Sequence, residues 1–269
     1  MSEALTLVPF ATIMAGLTQK DGIHSGHVTP DWMQGRTVYG GMSAALCLQA
    51  VRNQFPDLPA LRSAHIAFAG PVAGDVSITV RALRQGKSAS FVVADLTSEA
   101  GFGTHATFCF GADRISAKRQ ARFPMPVVPG PDDVGHHFPK GGLRPNFTNH
   151  FDMRLAAGAR PLSGADEADI CLWLKAFSSD DIALDVALLA LSDTPPPAAL
   201  SLYDQFTPLS TMTWAIDMMT TDLISPEGWY LAHLKSDAIG DGYSAQSMGL
   251  WTSDGRAVLA SKQCVALFG

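Results

Sequence analysis

From Gly41 to Asn53 the chain reads GMSAALCLQAVRN, good helix formers that are apolar on nearly every face until Gln49 and Arg52. A helix apolar almost all round is a buried helix. The period then changes. Asp75–Arg84 alternates, with Val76, Ile78, Val80 and Ala82 on one side, as a half-buried strand does. Ser63–Ala69, Ser88–Ser98 and Thr104–Phe110 read as further strands. Gly86-Lys87 and Glu99-Ala100-Gly101 supply hairpin turns.

The second half repeats this order. A strand at Asp169–Phe177 precedes a helix at about Asp181–Leu191, apolar nearly all round, with Asp180 and Asp181 at its start. Strands follow at Ser210–Met219, Trp229–Ser236, Tyr243–Trp251 and Ala257–Phe268. Gly86 and Gly101 are fifteen residues apart, as are Gly240 and Gly255, and TSEAG in one half stands where TSDG stands in the other. Matched order and spacing imply an internal duplication. Between the copies, residues 124–145 carry six prolines and the pair Gly141-Gly142, a density that neither helix nor central strand tolerates. The chain divides into units at 1–115 and 161–269, joined by a Pro/Gly-rich linker over 116–160. The expected class is α+β: two helix-plus-antiparallel-sheet units, each a sheet wrapped round one helix. This is the double hotdog, a built-in pseudo-dimer with one continuous sheet.

Composition narrows the function. Of 269 residues, 47% are apolar and 16% charged, enough to bury a large core. The net charge of −6 offers nothing to a polyanion, so no nucleic-acid partner is expected. Cys47, Cys109, Cys171 and Cys264 form no C-x-x-C pair and read as reduced thiols of a cytoplasmic protein. The apolar stretch Ala4–Leu17 follows Glu3 and is broken by Pro9, which argues against a signal peptide, and no membrane span is expected. There is no G-x-S-x-G, no Walker A run, and no Cys/His cluster at ligand spacing, so neither a metal nor a cofactor is expected. The matches Gly101-Gly103-Ala106 and Gly240-Gly242-Ala245 precede strands and fail as dinucleotide fingerprints.

Five segments resemble the acyl-CoA thioesterase II family of double hotdogs: Val38-Tyr39-Gly40-Gly41 before the first helix, His65–Pro71, Arg84–Leu96, Ala187–Asp193 and Gly228–Gln263. The Asp-Asn-His triplet of hydratase double hotdogs is missing. The resemblance implies hydrolysis of an acyl-CoA and association into a homodimer. It also implies three catalytic residues that hold the attacking water: Asp193 at the end of the second helix, Thr213 on the next strand, with Thr211 as a rival register, and Gln263 on the last strand. Gly40, Gly41 and His65 become the substrate-binding candidates.

Thioester hydrolysis needs an activated water and a seat for an oxyanion. A carboxylate can take the water's proton. At a helix C-terminus, Asp193 would face the negative end of the macrodipole, which raises its basicity. Backbone N–H groups beside Gly40 and Gly41 could hold the oxyanion. Counting from Gly101 and Gly255, the first-half counterpart of Gln263 is Cys109, which implies one site per chain. The rival function is a non-catalytic acyl-CoA or acyl-chain binder on the same fold, which would not need the three polar residues together.

Overall fold

A computed structural model describes residues 5–118, 120, 122–138, 144–176 and 182–268. The first half contains α1 (Phe10–Ala15), β1 (Thr18–Lys20), β2 (Ile23–Val28), β3 (Met33–Gln34), β4 (Thr37–Val38), α2 (Gly40–Gln54), β5 (Leu61–Phe68), β6 (Gly74–Gln85), β7 (Ala89–Ser98) and β8 (Gly101–Gly111). The second contains β9 (Phe151–Gly158), β10 (Asp169–Ala176), α3 (Leu184–Ser192), β11 (Leu209–Met218), β12 (Tyr230–Gly240), β13 (Tyr243–Thr252) and β14 (Ala257–Leu267).

Twelve strands form one antiparallel sheet in the order β1-β2-β6-β7-β8-β5-β11-β14-β13-β12-β10-β9. The order reads the same from either end once each strand is replaced by its copy. The halves meet at β5 and β11, where His65 pairs with Ala215. On one face, called inner here, α2 crosses β6, β7 and β8 and packs against α3. Met42, Leu46 and Leu48 of α2 are sealed from solvent. Each such side chain stabilises the fold by about 1.5–3 kcal/mol. The double hotdog expected from the repeated helix-then-meander order is the architecture found. No helix among the described residues is long and apolar enough to cross a membrane.

Three differences from the sequence reading have physical causes. The second helix starts at Leu184, and Asp180, Asp181, Phe177 and the linker residues Pro139, Gly141 and Gly142 lie outside the described residues. The stretch 116–160 is not all connection: β9 lies within it and closes the sheet edge by pairing with β10. Its FDMRLAAG alternates only briefly, and the prolines before it mask that signal. The proline-rich segment is also not free of the fold. Phe123 stacks on Trp251 at 4.8 Å, and Met125 and Val128 pack with Cys171, Trp173 and Trp229 on the outer face. The indole N–H groups of Trp173 and Trp251 donate to the carbonyls of Pro129 (2.8 Å) and Phe123 (2.9 Å). That cover explains why β10 is apolar on both faces: Ile170, Leu172 and Leu174 meet the core, while Cys171 and Trp173 meet the linker.

The helices run antiparallel, so the last turn of α2 meets the first turn of α3. There Arg52 ion-pairs with the buried Asp185, donates to the carbonyls of Leu58 (2.9 Å) and Pro59 (3.1 Å), and lies over the Phe110 ring. Removing one partner of a buried pair strands the other charge. Asp185→Ala should therefore lower unfolding free energy by about 3 kcal/mol. The check is a urea titration in which the midpoint falls and the slope does not.

Candidate active site

Three prolines, Pro195 to Pro197, follow Asp193 and forbid any continuation of α3. The helix therefore ends at Asp193, and Thr194 closes its last turn by donating backbone N–H and side-chain O–H to the Leu191 carbonyl. The carboxylate is thereby aimed across the joint at the first half, toward the start of α2. A Cβ on Gly40 would sit 2.7 Å from Asp193 Oδ2 and 2.9 Å from the Phe68 ring. One on Gly41 would sit 2.8 Å from the Ala190 carbonyl and 2.9 Å from Asp193 Cβ. Only glycine leaves room for this approach. The Gly41 backbone N–H faces Asp193 and favours its charged form, and the buried Tyr39 hydroxyl donates to the Ala190 carbonyl at 3.2 Å. Tyr39 in turn stacks on Phe147 at 4.2 Å, so the segment leading into β9 forms an apolar wall here.

Behind the carboxylate stands a row of amides. Gln263 Nε2 donates to Asp193 Oδ1 at 2.7 Å. Gln246 Nε2 donates to Gln263 Oε1 at 2.7 Å. The Ala198 backbone N–H donates to Gln246 Oε1 at 2.6 Å. Gln246 and Gln263 pair across β13 and β14 and are both buried on the inner face.

Part of Asp193 remains accessible, yet the glycines and Gln263 surround its carboxylate. Burial pushes this carboxyl up to about 7, while the hydrogen bonds from Gln263 and Gly41 pull it down. The sequence reading assigned the rise to the macrodipole of α3. Desolvation is the larger cause, because the carboxylate also faces the positive end of α2.

The structure brings Asp193, Gln263, Gly40 and Gly41 together and leaves two candidates apart. Thr213 pairs with Cys264, and its neighbour Trp214 pairs with Gln263. Directly paired residues share a face, so Thr213 lies on the opposite face from Gln263, where it is exposed. A β-bulge between Thr211 and Thr213 inserts Met212 and shifts the register, and Thr211, opposite the buried Val265, falls on the inner face instead. His65 is likewise exposed on the outer face at the centre of the sheet. It lines a shallow groove with His105, Thr107, Thr213 and Lys262, not the Asp193 site.

Gln246 escaped sequence reasoning. Its signal was phase: in YSAQSMGL it alternates with Ser244, Met248 and Leu250, which places an amide on the face that turns inward.

The duplication also corrects the Cys109 assignment. The bulge between Leu61 and Ser63 matches that between Thr211 and Thr213, so Ala64 corresponds to Trp214. Phe108, opposite Ala64, is then the counterpart of Gln263, and Val92, opposite Phe108, is that of Gln246. Counting from glycine missed by one because the β13–β14 hairpin is one residue longer than β7–β8. Leu61, Val92 and Phe108 are all buried, so the first-half position is apolar.

Residues 28–111 match the N-terminal domain model of acyl-CoA thioesterases, and residues 125–267 match the C-terminal domain model. No curated protein matches the sequence. Among solved structures, the chain resembles a hot dog fold protein of unknown function from Alicyclobacillus acidocaldarius, with TM-score 0.84, 22% identity, and 96% and 97% of the two chains covered. It also resembles an acyl-CoA thioesterase II from Mycobacterium marinum, with TM-score 0.74, 18% identity, and 94% and 96% covered. A third similar structure, a tesB protein of Mycobacterium avium subspecies paratuberculosis, has TM-score 0.77, 14% identity, and 97% and 99% covered. At these identities the structures speak for the fold, and the two domain models, one of them spanning more than half the chain, speak for the family: this chain belongs to the acyl-CoA thioesterases and is a thioester hydrolase.

Proposed function

We propose that the substrate is an acyl-CoA and that Asp193 is the general base for its hydrolysis. The single observation behind this is a carboxyl pushed up to about 7 on a half-buried residue, held by Gln263 and facing the start of α2. Gln263 occupies Oδ1, which leaves Oδ2, beside the missing side chain of Gly40, for the water. As the water oxygen bonds to the thioester carbonyl carbon, its proton passes to Asp193. The C–S bond then breaks, the acid forms, and Asp193 returns the proton to the thiolate. The Gly41 N–H is turned toward Asp193, so the oxyanion role expected of both glycines falls to Gly40, whose N–H begins α2 and has no acceptor within the helix. Thr211, on the inner face, replaces Thr213 as the hydroxyl that orients water.

Asp193→Asn keeps the volume and should lower kcat by roughly 10²–10⁴-fold on straight-chain acyl-CoAs, read by thiol release. A base must be ionised, so kcat of the parent should rise with pH, turn near about 7, and level above it. Stability should run the other way. The folded carboxyl lies above the roughly 3.9 of an unfolded chain, so ionising it costs stability, a cost absent below about pH 4 and complete above about pH 7. Asp193→Asn should melt above the parent at pH 8, with the difference closing as pH falls toward 4. An unchanged kcat in this variant refutes the base assignment.

The two threonines give a second test. Thr211→Val should lower kcat by about tenfold, and Thr213→Val should leave it within about twofold. The reverse ranking would return Thr213 to the site. Gly40→Ala would set a methyl against Asp193 Oδ2 and Phe68. Displacing the water by even an ångström should cost roughly 10²-fold in kcat. Circular dichroism should show the sheet intact.

A further inference from the structure

The hydrogen bonds behind Asp193 have a direction, and it is set outside the site. A backbone N–H can only donate, so the Ala198 N–H requires the oxygen of Gln246 to face it. The NH₂ of Gln246 must then face Gln263, which must answer with its own oxygen. That leaves the NH₂ of Gln263 for Asp193. Each amide has one orientation in which both ends are satisfied, and both are buried where an unsatisfied end is costly. The first donor is itself held in place: Ala198 opens the short helical turn Ala198–Leu202 directly after Pro195-Pro196-Pro197. Prolines fix φ and reduce the freedom of the loop that presents it.

We propose that Gln246 is a positioning residue for the hydrolysis: fixed by the Ala198 N–H, it holds the amide of Gln263 so that only N–H groups face Asp193. This deepens the proposed function and rests on Asp193 being the base. A Gln263 turned by half a rotation would present its carbonyl oxygen to the carboxylate. Two acceptors repel unless Asp193 carries a proton, so the turned state favours the protonated acid, which cannot take a proton from water. The relay thus selects the ionised base. It also leaves the second N–H of the Gln263 amide available to the water or the substrate carbonyl. The apolar counterparts Val92 and Phe108 show that the fold does not need amides at these places.

The titratable group coupled to Asp193 is Tyr39 on the α2 side, a buried phenol held well above its usual value by burial and by the Asp193 charge. It stays neutral over the range that matters. From β14 the facing group is Gln263 and from β13 it is Gln246, both uncharged.

The test is the pH profile of kcat on butanoyl- to hexadecanoyl-CoA for Gln246→Met, which keeps the length and removes the amide. The inflection should rise by about one unit, which makes kcat about tenfold low at pH 6 and near parental above pH 9, with KM within about threefold. A purely structural role would lower kcat by the same factor at every pH and leave the inflection in place. Gln246→Glu, which when ionised accepts from Ala198 but cannot donate to Gln263, should move the inflection in the same direction. In a Gln263→Met background, Gln246→Met should add no further shift, because its route to Asp193 is gone. An unmoved inflection in both Gln246 variants, or an undiminished shift in the Gln263→Met background, overturns the proposal. Asp193→Asn separates the two readings. If that variant keeps the parental profile, the base assignment fails and the relay with it. If it abolishes the inflection while the Gln246 variants leave the parental one unmoved, the relay alone fails.

Discussion

The site depends on one contact, a carboxylate from the second half pressed against the first turn of a helix from the first half. Asp193 and Gly40-Gly41 approach so closely that a single added carbon on either glycine would collide with the acid or its helix. The approach buries the charge, and burial sets its basicity near about 7. The opposing supports, the Gly41 N–H and the Gln263 amide, keep the group from becoming a permanently neutral acid. The general-base role proposed for Asp193 would need that balance, because too much support would weaken its basicity and too little would leave it protonated.

The contact exists because two hotdog units share one sheet. Antiparallel α2 and α3 bring each helix end beside the other's opposite end. At one end lies the Asp193 contact, and at the other the Arg52–Asp185 ion pair. The two ends are equivalent by the duplication but not by chemistry. Amides occupy the β13 and β14 positions behind Asp193, while Val92 and Phe108 occupy the same places in the first half. One copy carries a polar row at these places, and the other a close-packed apolar interior.

Much of this was legible along the chain. The buried helix in GMSAALCLQAVRN, the alternation of Val76, Ile78 and Val80, and the paired glycine spacings lead to the fold, because burial and pleat impose fixed periods. Asp193 and Gln263 came from resemblance, and the structure places them 2.7 Å apart, Nε2 to Oδ1. Thr213 lies on the face opposite Gln263 because a bulge is a change of register without a composition signal: TMTW looks the same with or without one. His65 lies away from Asp193 for a related reason, since it sits in a family-like segment but on the strand's outer phase.

By itself the sequence determined the two buried helices, the long meander strands, the duplication, the double hotdog and the family, since each is written in local period or in motif, but not β9 or the short elements before the first buried helix. Only the tertiary structure decided which polar groups meet. Asp193, Gln246 and Gln263 come from a helix end and two strands, and their row ends on a backbone N–H at Ala198 that carries no side-chain signature. Hydrogen bonds form between atoms within about 3 Å, and strand register, which one bulged residue can invert, sets which atoms those are.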